Sequence, residues 1–300
     1  GAGGSFVGTA YTFATEKNPY GQLWMMGDNQ YGILGQNDVA HRSSPVQIPG
    51  NNWKELSTGG GDNAYHAFGI KSDGTLWAWG YNNGGALGDI SKTSRSSPTQ
   101  IPGTTWAYVS NRYPTMATKT DGTLWTWGYN GNGQLGHNNT TYYSSPTQIP
   151  GTTWSTSHRH KISNGAVSQA AIKTDGTLWM WGYNGHGGHG DNSTAGGSSP
   201  KQVPGTTWEA VSSFTYGTIA TKTDGTLWAW GLNQYGQLAQ SNTTSRSSPV
   251  QIGSDTTWGS LNAAVSRFGV AAIKTDGTLW QWGLNTEGGI GDNTGDNYSS

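Results

Sequence analysis

Residues 223–231 read TDGTLWAWG, and this phrase recurs along the chain with one freely varied position. It stands at 72–80 as SDGTLWAWG, at 120–128 as TDGTLWTWG, at 174–182 as TDGTLWMWG and at 275–283 as TDGTLWQWG, with a degenerate copy, PYGQLWMMG, at 19–27. Its marker glycines, Gly21, Gly74, Gly122, Gly176, Gly225 and Gly277, are separated by 53, 48, 54, 49 and 52 residues. A period of about fifty residues is the mark of a repeat architecture, in which each unit buries its apolar surface against its neighbours. Working outward, each phrase continues as Gly-x-Asn-x-x-Gly. It then reaches Ser-Ser-Pro-x-Gln-Ile/Val at Ser43, Ser96, Ser144, Ser198 and Ser247, and an isolated Trp at 53, 106, 154, 208 and 258.

The unit reads as four short strands: A after the isolated Trp, B leading into Lys-Thr-Asp, C as Thr-Leu-Trp-x-Trp-Gly, and D as Pro-x-Gln-Ile/Val. Asp-Gly between B and C is a strong hairpin signal and predicts a type I′ turn with positive φ at both central residues. Pro at the start of D predicts an edge strand, which tolerates a missing amide donor. Strand C sets Trp77 and Trp79 on one face and Leu76 and Ala78 on the other, so both faces are suited to burial. All 16 Trp obey the repeat. That places them in the core, since a ligand-binding indole breaks a repeat and a packing indole follows it.

Four-stranded sheets packed face to face define the expected fold, an all-β propeller of six blades within one domain spanning 1–300, seven if the chain is part of a longer one. The units run 1–50, 51–103, 104–151, 152–205, 206–254 and 255–300, the first lacking strand A and the last strand D.

Composition narrows the function classes. Net charge is −1, and no basic block favours nucleic acid. The absence of Cys excludes disulfides, thiolate catalysis and Cys-ligated zinc. No Gly-Lys-Ser/Thr phosphate loop, dinucleotide fingerprint, serine triad or carboxylate pair stands out, so no enzyme, cofactor or metal is expected. Four of the seven His, at 158, 160, 186 and 189, lie near Asp191 and define the only metal-like grouping, a weaker reading than solvated loop histidines. Asp-Asn-x-Thr/Ser at Asp191 and Asp292 is a still weaker calcium signal. The repeated Asp73, Asp121, Asp175, Asp224 and Asp276 belong to hairpin turns.

Trp-Gly-x-Asn-x-x-Gly-Gln-Leu-Gly after a hairpin, followed by Pro-x-x-Ile/Val, resembles the regulator of chromosome condensation repeat family, over essentially the whole chain. The resemblance implies a propeller used as a protein-binding platform. Family members include an exchange factor for a small GTPase, domains of ubiquitin ligases and a β-lactamase inhibitor. The phrasing is most similar to bacterial and bacteriophage versions, including cyanophage virion proteins. That implies a virion or extracellular appendage module, such as a tail-fibre or adhesion component, binding protein, glycan or other virion subunits. The alternative is a cytoplasmic interaction propeller. The family's His at the start of strand B occurs only at His66; the other positions hold Pro114, Ser168, Gly217 and Gly269.

Strand direction puts A–B and C–D connections on one side of each sheet. From isolated Trp to strand-B Lys the units run 18, 13, 19, 14 and 16 residues, so this side is the varied one. Its A–B stretches carry Asp62, Tyr65, Arg112, Tyr113, His158, Arg159, His160, Phe214, Tyr216, Arg267 and Phe268. Its C–D stretches add Tyr31, Arg42, Arg95, Tyr142, Tyr143, Tyr235 and Arg246. Tyr and Arg on varied loops over a rigid frame are what partner binding requires.

Overall fold

The computed structural model describes residues 21–58, 65–112, 114–259, 269–285, 290 and 294–299. The chain divides into two compact units, residues 1–129 with 142–150, and residues 130–141 with 151–300.

In the first unit, β1 (Trp24–Gly27) pairs with β2 (Arg42–Gln47). β3 (Trp53–Thr58), β4 (His66–Lys71), β5 (Leu76–Gly80) and β6 (Arg95–Ile101) form an antiparallel meander in that order. β7 (Trp106–Asn111), β8 (Pro114–Lys119), β9 (Leu124–Gly128) and β10 (Tyr143–Ile149) repeat it. In the second unit the same meander is built by β11 (Ile162–Asn164), β12 (Ser168–Ile172), β13 (Leu178–Gly182) and β14 (Gly197–Gln202), and again by β15 (Trp208–Ser213), β16 (Gly217–Lys222), β17 (Leu227–Gly231) and β18 (Arg246–Gln251). β19 (Gly269–Ile273) pairs with β20 (Leu279–Gly283). These sheets are propeller blades. The Pro-bearing strand lies outermost in each complete one, as its missing amide donor requires. Strand B of the first blade falls outside the described residues.

The hairpin between B and C differs from expectation. At residues 71–75 only Gly74 has positive φ, at 79°, and its N–H donates to the Lys71 carbonyl at 2.9 Å. This is a type I turn closed by a left-handed Gly, not a type I′ turn. Asp73 causes the difference: its carboxylate accepts from the Thr75 N–H at 3.0 Å and hydroxyl at 2.7 Å, which fixes Asp in the ordinary right-handed region. Asp121, Asp175, Asp224 and Asp276 do the same, a conformational role and not a catalytic one.

The Trp set divides into three roles. The second Trp of each Trp-x-Trp pair is fully buried, and its Nε1 donates back to a loop carbonyl of the preceding repeat: Trp79 to Ile33, Trp127 to Ala86, Trp181 to Gln134, Trp230 to Gly188 and Trp282 to Gln237, at 2.7–2.9 Å. The isolated Trp packs beneath it, with Trp208 and Trp230 ring centres 5.6 Å apart. Burying one such ring stabilises by about 4–6 kcal/mol gross, an upper figure.

The first Trp of each pair is only half-buried, and it forms a cage with the isolated Trp around the strand-B lysine. Lys222 Nζ lies 4.9 Å from the Trp208 ring centre and 4.2 Å from that of Trp228. Lys71, Lys119, Lys173 and Lys274 sit likewise between their indoles. Two residues depart from the uniform core expected of the indoles: Trp24 and Trp280 are each 49% exposed. Both lie on strands whose sheets have only two described strands.

Candidate functional site

The varied side of the sheets rests on a rigid loop device. In the C–D connection after β5, Asn82 is completely buried. Its Nδ2 donates to the Thr93 carbonyl at 3.0 Å, and its Oδ1 accepts the Leu87 N–H at 2.9 Å. One amide thus satisfies both edges of a loop that would otherwise leave buried backbone groups unpaired. Asn29, Asn130, Asn184, Asn233 and Asn285 each brace a loop through the same two atoms. Asp38 and Asp89 extend the brace to Arg42 at 2.6 Å and Arg95 at 2.7 Å. These two arginines, expected to face a partner, are therefore engaged in holding their own loops.

Residues that break the repeat form two groups where the fourth and fifth blades meet. The first corrects an expectation: Ser155 bonds Ile172 and Ile162 pairs with Ala171, so residues 156–161 lie at the hairpin end of strand A and not in the A–B turn, which is at 165–168. A turn at Arg159–Lys161 follows His158, and the side chains of His158 and Lys161 reach the first strand of the next blade. His158 Nε2 lies 2.9 Å from Glu209 Oε1, and Lys161 Nζ lies 3.2 Å from Glu209 Oε2. Lys161 is almost wholly buried, so Glu209 supplies its compensating charge. Burial acts to raise the Glu209 carboxyl, but the His158 hydrogen bond and the Lys161 charge outweigh it and hold the group below its ordinary range. Burial, reinforced by the Arg159 and His158 charges, lowers His160 to about 4, so it is neutral at pH 7.

The opposite, loop end of the same junction carries an aromatic group. His186, in the C–D loop of the fourth blade, packs 4.8 Å from Tyr216 and 6.1 Å from Tyr183, centre to centre. Behind it, β11 backs onto the 213–216 turn, where Ser213 N–H donates to Ser163 Oγ at 2.8 Å. In the first unit an analogous group joins Tyr31 to Tyr65 at 5.0 Å and to Tyr81 at 4.5 Å.

Of the A–B residues expected to bind a partner, His158, His160, Tyr216 and Tyr65 are partly exposed in these groups, and Arg159 is exposed beside His158 and His160. Arg112 is partly exposed, its N–H donating to the Pro114 carbonyl. Tyr113, Arg267 and Phe268, like Asp62 and Asp292, lie outside the described residues. Phe214 is a correction: it is only 1% exposed and belongs to the core. The Phe214 N–H closes a tight turn onto the Gly217 carbonyl, and the absent Gly217 side chain makes room for the Phe214 ring.

Sequence reasoning missed Lys161 and Glu209. A signal existed for Glu209, because the residue after the isolated Trp is Lys54, Ala107, Ser155 or Gly259 in the other units and acidic only here. The four histidines do not gather, and among the described residues no three His, Asp or Glu side chains are placed to hold a metal. His189 instead fills the loop's buried apolar position, held elsewhere by Leu34, Leu87, Leu135 and Leu238. Asp191 is committed to Ser193, Asn184 and Lys201.

Four-stranded antiparallel meanders repeated along the chain define a β-propeller. The Regulator of chromosome condensation (RCC1) repeat matches residues 20–63, 73–110, 121–159 and 224–264, more than half of the chain, and the protein belongs to that family. Among curated relatives, the mitochondrial RCC1 domain-containing protein RUG3 of Arabidopsis thaliana is 31% identical over 97 residues, which is 31% of this chain and 20% of the relative. Among solved structures, human WBSCR16 superposes with TM-score 0.75 at 18% identity, covering 92% of this chain and 74% of that one. Prp20p of Saccharomyces cerevisiae, described with its binding to Gsp1p and histones, gives TM-score 0.74 at 17% identity, covering 93% and 72%. The yeast protein bound to Kap60 gives TM-score 0.73 at 17% identity, covering 93% and 70%. At these identities the structural likeness establishes the fold.

Proposed function

We propose that this chain is a protein-interaction propeller that binds its partner through the A–B and C–D loops, centred on the junction of the fourth and fifth blades. One observation carries this reading. His186, in a C–D loop, packs on Tyr216, beside an A–B turn, and with Tyr183 forms an aromatic group at the loop end of this junction. Aromatic rings on braced loops supply anchors for a partner. The protein partners of yeast Prp20p, Gsp1p, histones and Kap60, support a protein ligand. The virion or extracellular setting expected from the repeat's phrasing gains no support from these relatives, and neither does a glycan ligand. The interaction-propeller alternative does.

The test is quantitative proximity labelling in cells with the wild type, a double variant H186A/Y216A, and a hairpin-side control, Thr120→Ala. Loss of the same labelled partners in the double variant alone, with unchanged melting temperature, supports the proposal. Loss in the control, or in neither, overturns it.

A further inference from the structure

Asn-Gly is the dipeptide most open to a reaction of the chain with itself, because a following Gly leaves the backbone nitrogen unshielded and the peptide free to turn. This sequence holds five, at Asn83–Gly84, Asn130–Gly131, Asn132–Gly133, Asn164–Gly165 and Asn184–Gly185. The fold restrains all but the first. Asn130 and Asn184 are loop braces. The Asn130 side chain donates to the Asn139 carbonyl at 3.0 Å and the Thr141 carbonyl at 2.9 Å, and accepts the Leu135 N–H at 2.8 Å. Asn184 is bound likewise to Ser193, Ala195 and His189. At the next two the nitrogen itself is engaged: the Gly133 N–H donates to the Asn130 carbonyl at 3.1 Å and the Gly165 N–H to the Ser168 carbonyl at 2.8 Å, and both glycines are buried.

Asn83–Gly84, in the C–D loop after β5, escapes both restraints. Asn83 is exposed and Gly84 half-buried, and among the described residues neither the Asn83 side chain nor the Gly84 N–H has a hydrogen-bond partner. The turn is held on the far side of that nitrogen, where the Gly85 N–H donates to the Asn82 carbonyl at 3.2 Å and the Ala86 N–H to the Asn83 carbonyl at 3.4 Å. Room to move is also greatest here. A Cβ built on Gly84 would meet its nearest neighbour, the Tyr142 ring, at 3.4 Å, whereas one on Gly133 would stand 2.7 Å from Ser198.

We propose that Asn83 is a site of spontaneous deamidation. The Gly84 backbone nitrogen, its proton taken by solvent hydroxide, attacks Asn83 Cγ. The new N–Cγ bond closes a succinimide, the Cγ–Nδ2 bond breaks, and the departing nitrogen takes a proton from water and leaves as ammonia. Water then opens the ring at either carbonyl, giving Asp or isoaspartate at position 83. One water is consumed, one ammonia is released, and no electrons are transferred. Either product adds a negative charge to the C–D loop. Isoaspartate also carries the main chain through its own Cβ, which lengthens the loop by a methylene just ahead of Ala86. The Ala86 carbonyl accepts both the Trp127 indole at 2.9 Å and the Thr115 hydroxyl at 3.0 Å, so the longer chain disturbs the anchor that ties the third blade to the second. This inference does not rest on the partner surface proposed above.

The experiment ages the whole chain at mildly alkaline pH in heavy-oxygen water and maps label uptake at each Asn-Gly by mass spectrometry, with isoaspartate counted by an isoaspartyl methyltransferase. Asn83 is expected to convert roughly tenfold or more faster than the other four, since a restrained site reacts only from locally opened chain. Its rate is expected to rise in proportion to hydroxide. In urea the five rates are expected to converge, because the fold and not the dipeptide sets the order. Asn83→Asp adds the charge without the extra methylene and is expected to melt with the wild type, while the isoaspartate fraction of aged protein melts lower. The proposal is overturned if Asn83 stays intact, if another Asn-Gly of the folded chain converts as fast, or if the order seen in the folded chain persists in urea. Isoaspartate protein that melts with the wild type overturns the link to the Ala86 anchor.

Discussion

The indole Nε1 of Trp230 donates to the carbonyl of Gly188 at 2.8 Å, a bond that spans 42 residues and joins the fifth blade to the loop of the fourth. Both groups are buried; the indole N–H would be orphaned without this bond, whereas the carbonyl also accepts the Thr218 hydroxyl at 3.1 Å. The fit leaves no slack, because a Cβ added at Gly190 would stand 2.7 Å from that nitrogen. Trp230→Phe is expected to cost roughly 2–4 kcal/mol, from the cavity and the lost hydrogen bond together. Urea denaturation measures it; a loss under 1 kcal/mol would mean that the bond is dispensable.

Lysine cages predict an effect of charge without a salt bridge. Lys119→Met keeps the aliphatic stem between Trp106 and Trp125 and removes the cation that lies 4.8 and 4.4 Å from their centres. The expected loss is about 1 kcal/mol. Because the attraction is to ring faces at short range, raising salt to 1 M is expected to leave most of it intact. A difference between wild type and variant that vanishes in salt would count against the cage.

Ile90 is a position where sequence and backbone conflict. It holds φ at 68° and is 71% exposed, while Asn37, Asn138 and Asn192 occupy the corresponding left-handed position elsewhere. A β-branched residue is costly there, and Asn is tolerated. The Ile90 N–H bond to the Ser144 carbonyl is made by the backbone and survives substitution. Ile90→Asn is therefore expected to stabilise by about 1 kcal/mol, read as a rise in urea midpoint at constant slope.

Three histidines set a pH window. Burial lowers His66 to about 4; burial, together with nearby positive charge, lowers His160 to about 4. His189 is lowered to about 4 by burial, against the opposing pull of Asp191. Between roughly pH 6.5 and 4 the unfolded chain binds more protons than the folded one, so stability rises with pH across that range. It is fully present above 6.5 and is lost as pH falls toward 4. His189→Leu restores the residue found at the other loops and is expected to flatten this slope while raising stability at pH 5. Denaturation series at pH 5 and pH 7.5 give the comparison, and an unchanged slope would refute the assignment.

The fold was legible because packing forces repetition: the Trp-x-Trp strand, the Asp-Gly hairpin and the outer Pro each report a constraint met once per blade. The turn type was misread because Asp73 uses its side chain to hold a right-handed conformation that the dipeptide alone does not disclose. The lysine cages escaped notice for the same reason, since a Lys before a turn reads as a solvated charge until two indoles are seen around it. At the candidate site His158, His160 and Tyr216 were legible as departures from the repeat. Phe214 was misplaced because a two-residue turn brought it inside. Lys161 was missed because its ion pair spans two repeats and gives it no local signature, and Glu209 was overlooked although it alone is acidic after an isolated Trp.

The indole-to-carbonyl bonds all point the same way along the chain: the donor belongs to the later repeat and the acceptor to the earlier. During synthesis each newly emerged repeat thus finds its anchor already in place upstream. Clipping a repeat from the carboxyl side bares a carbonyl that water readily satisfies, whereas clipping one from the amino side strands an indole N–H inside a packed sheet. Trimming this protein is expected to be far better tolerated from its tail than from its head.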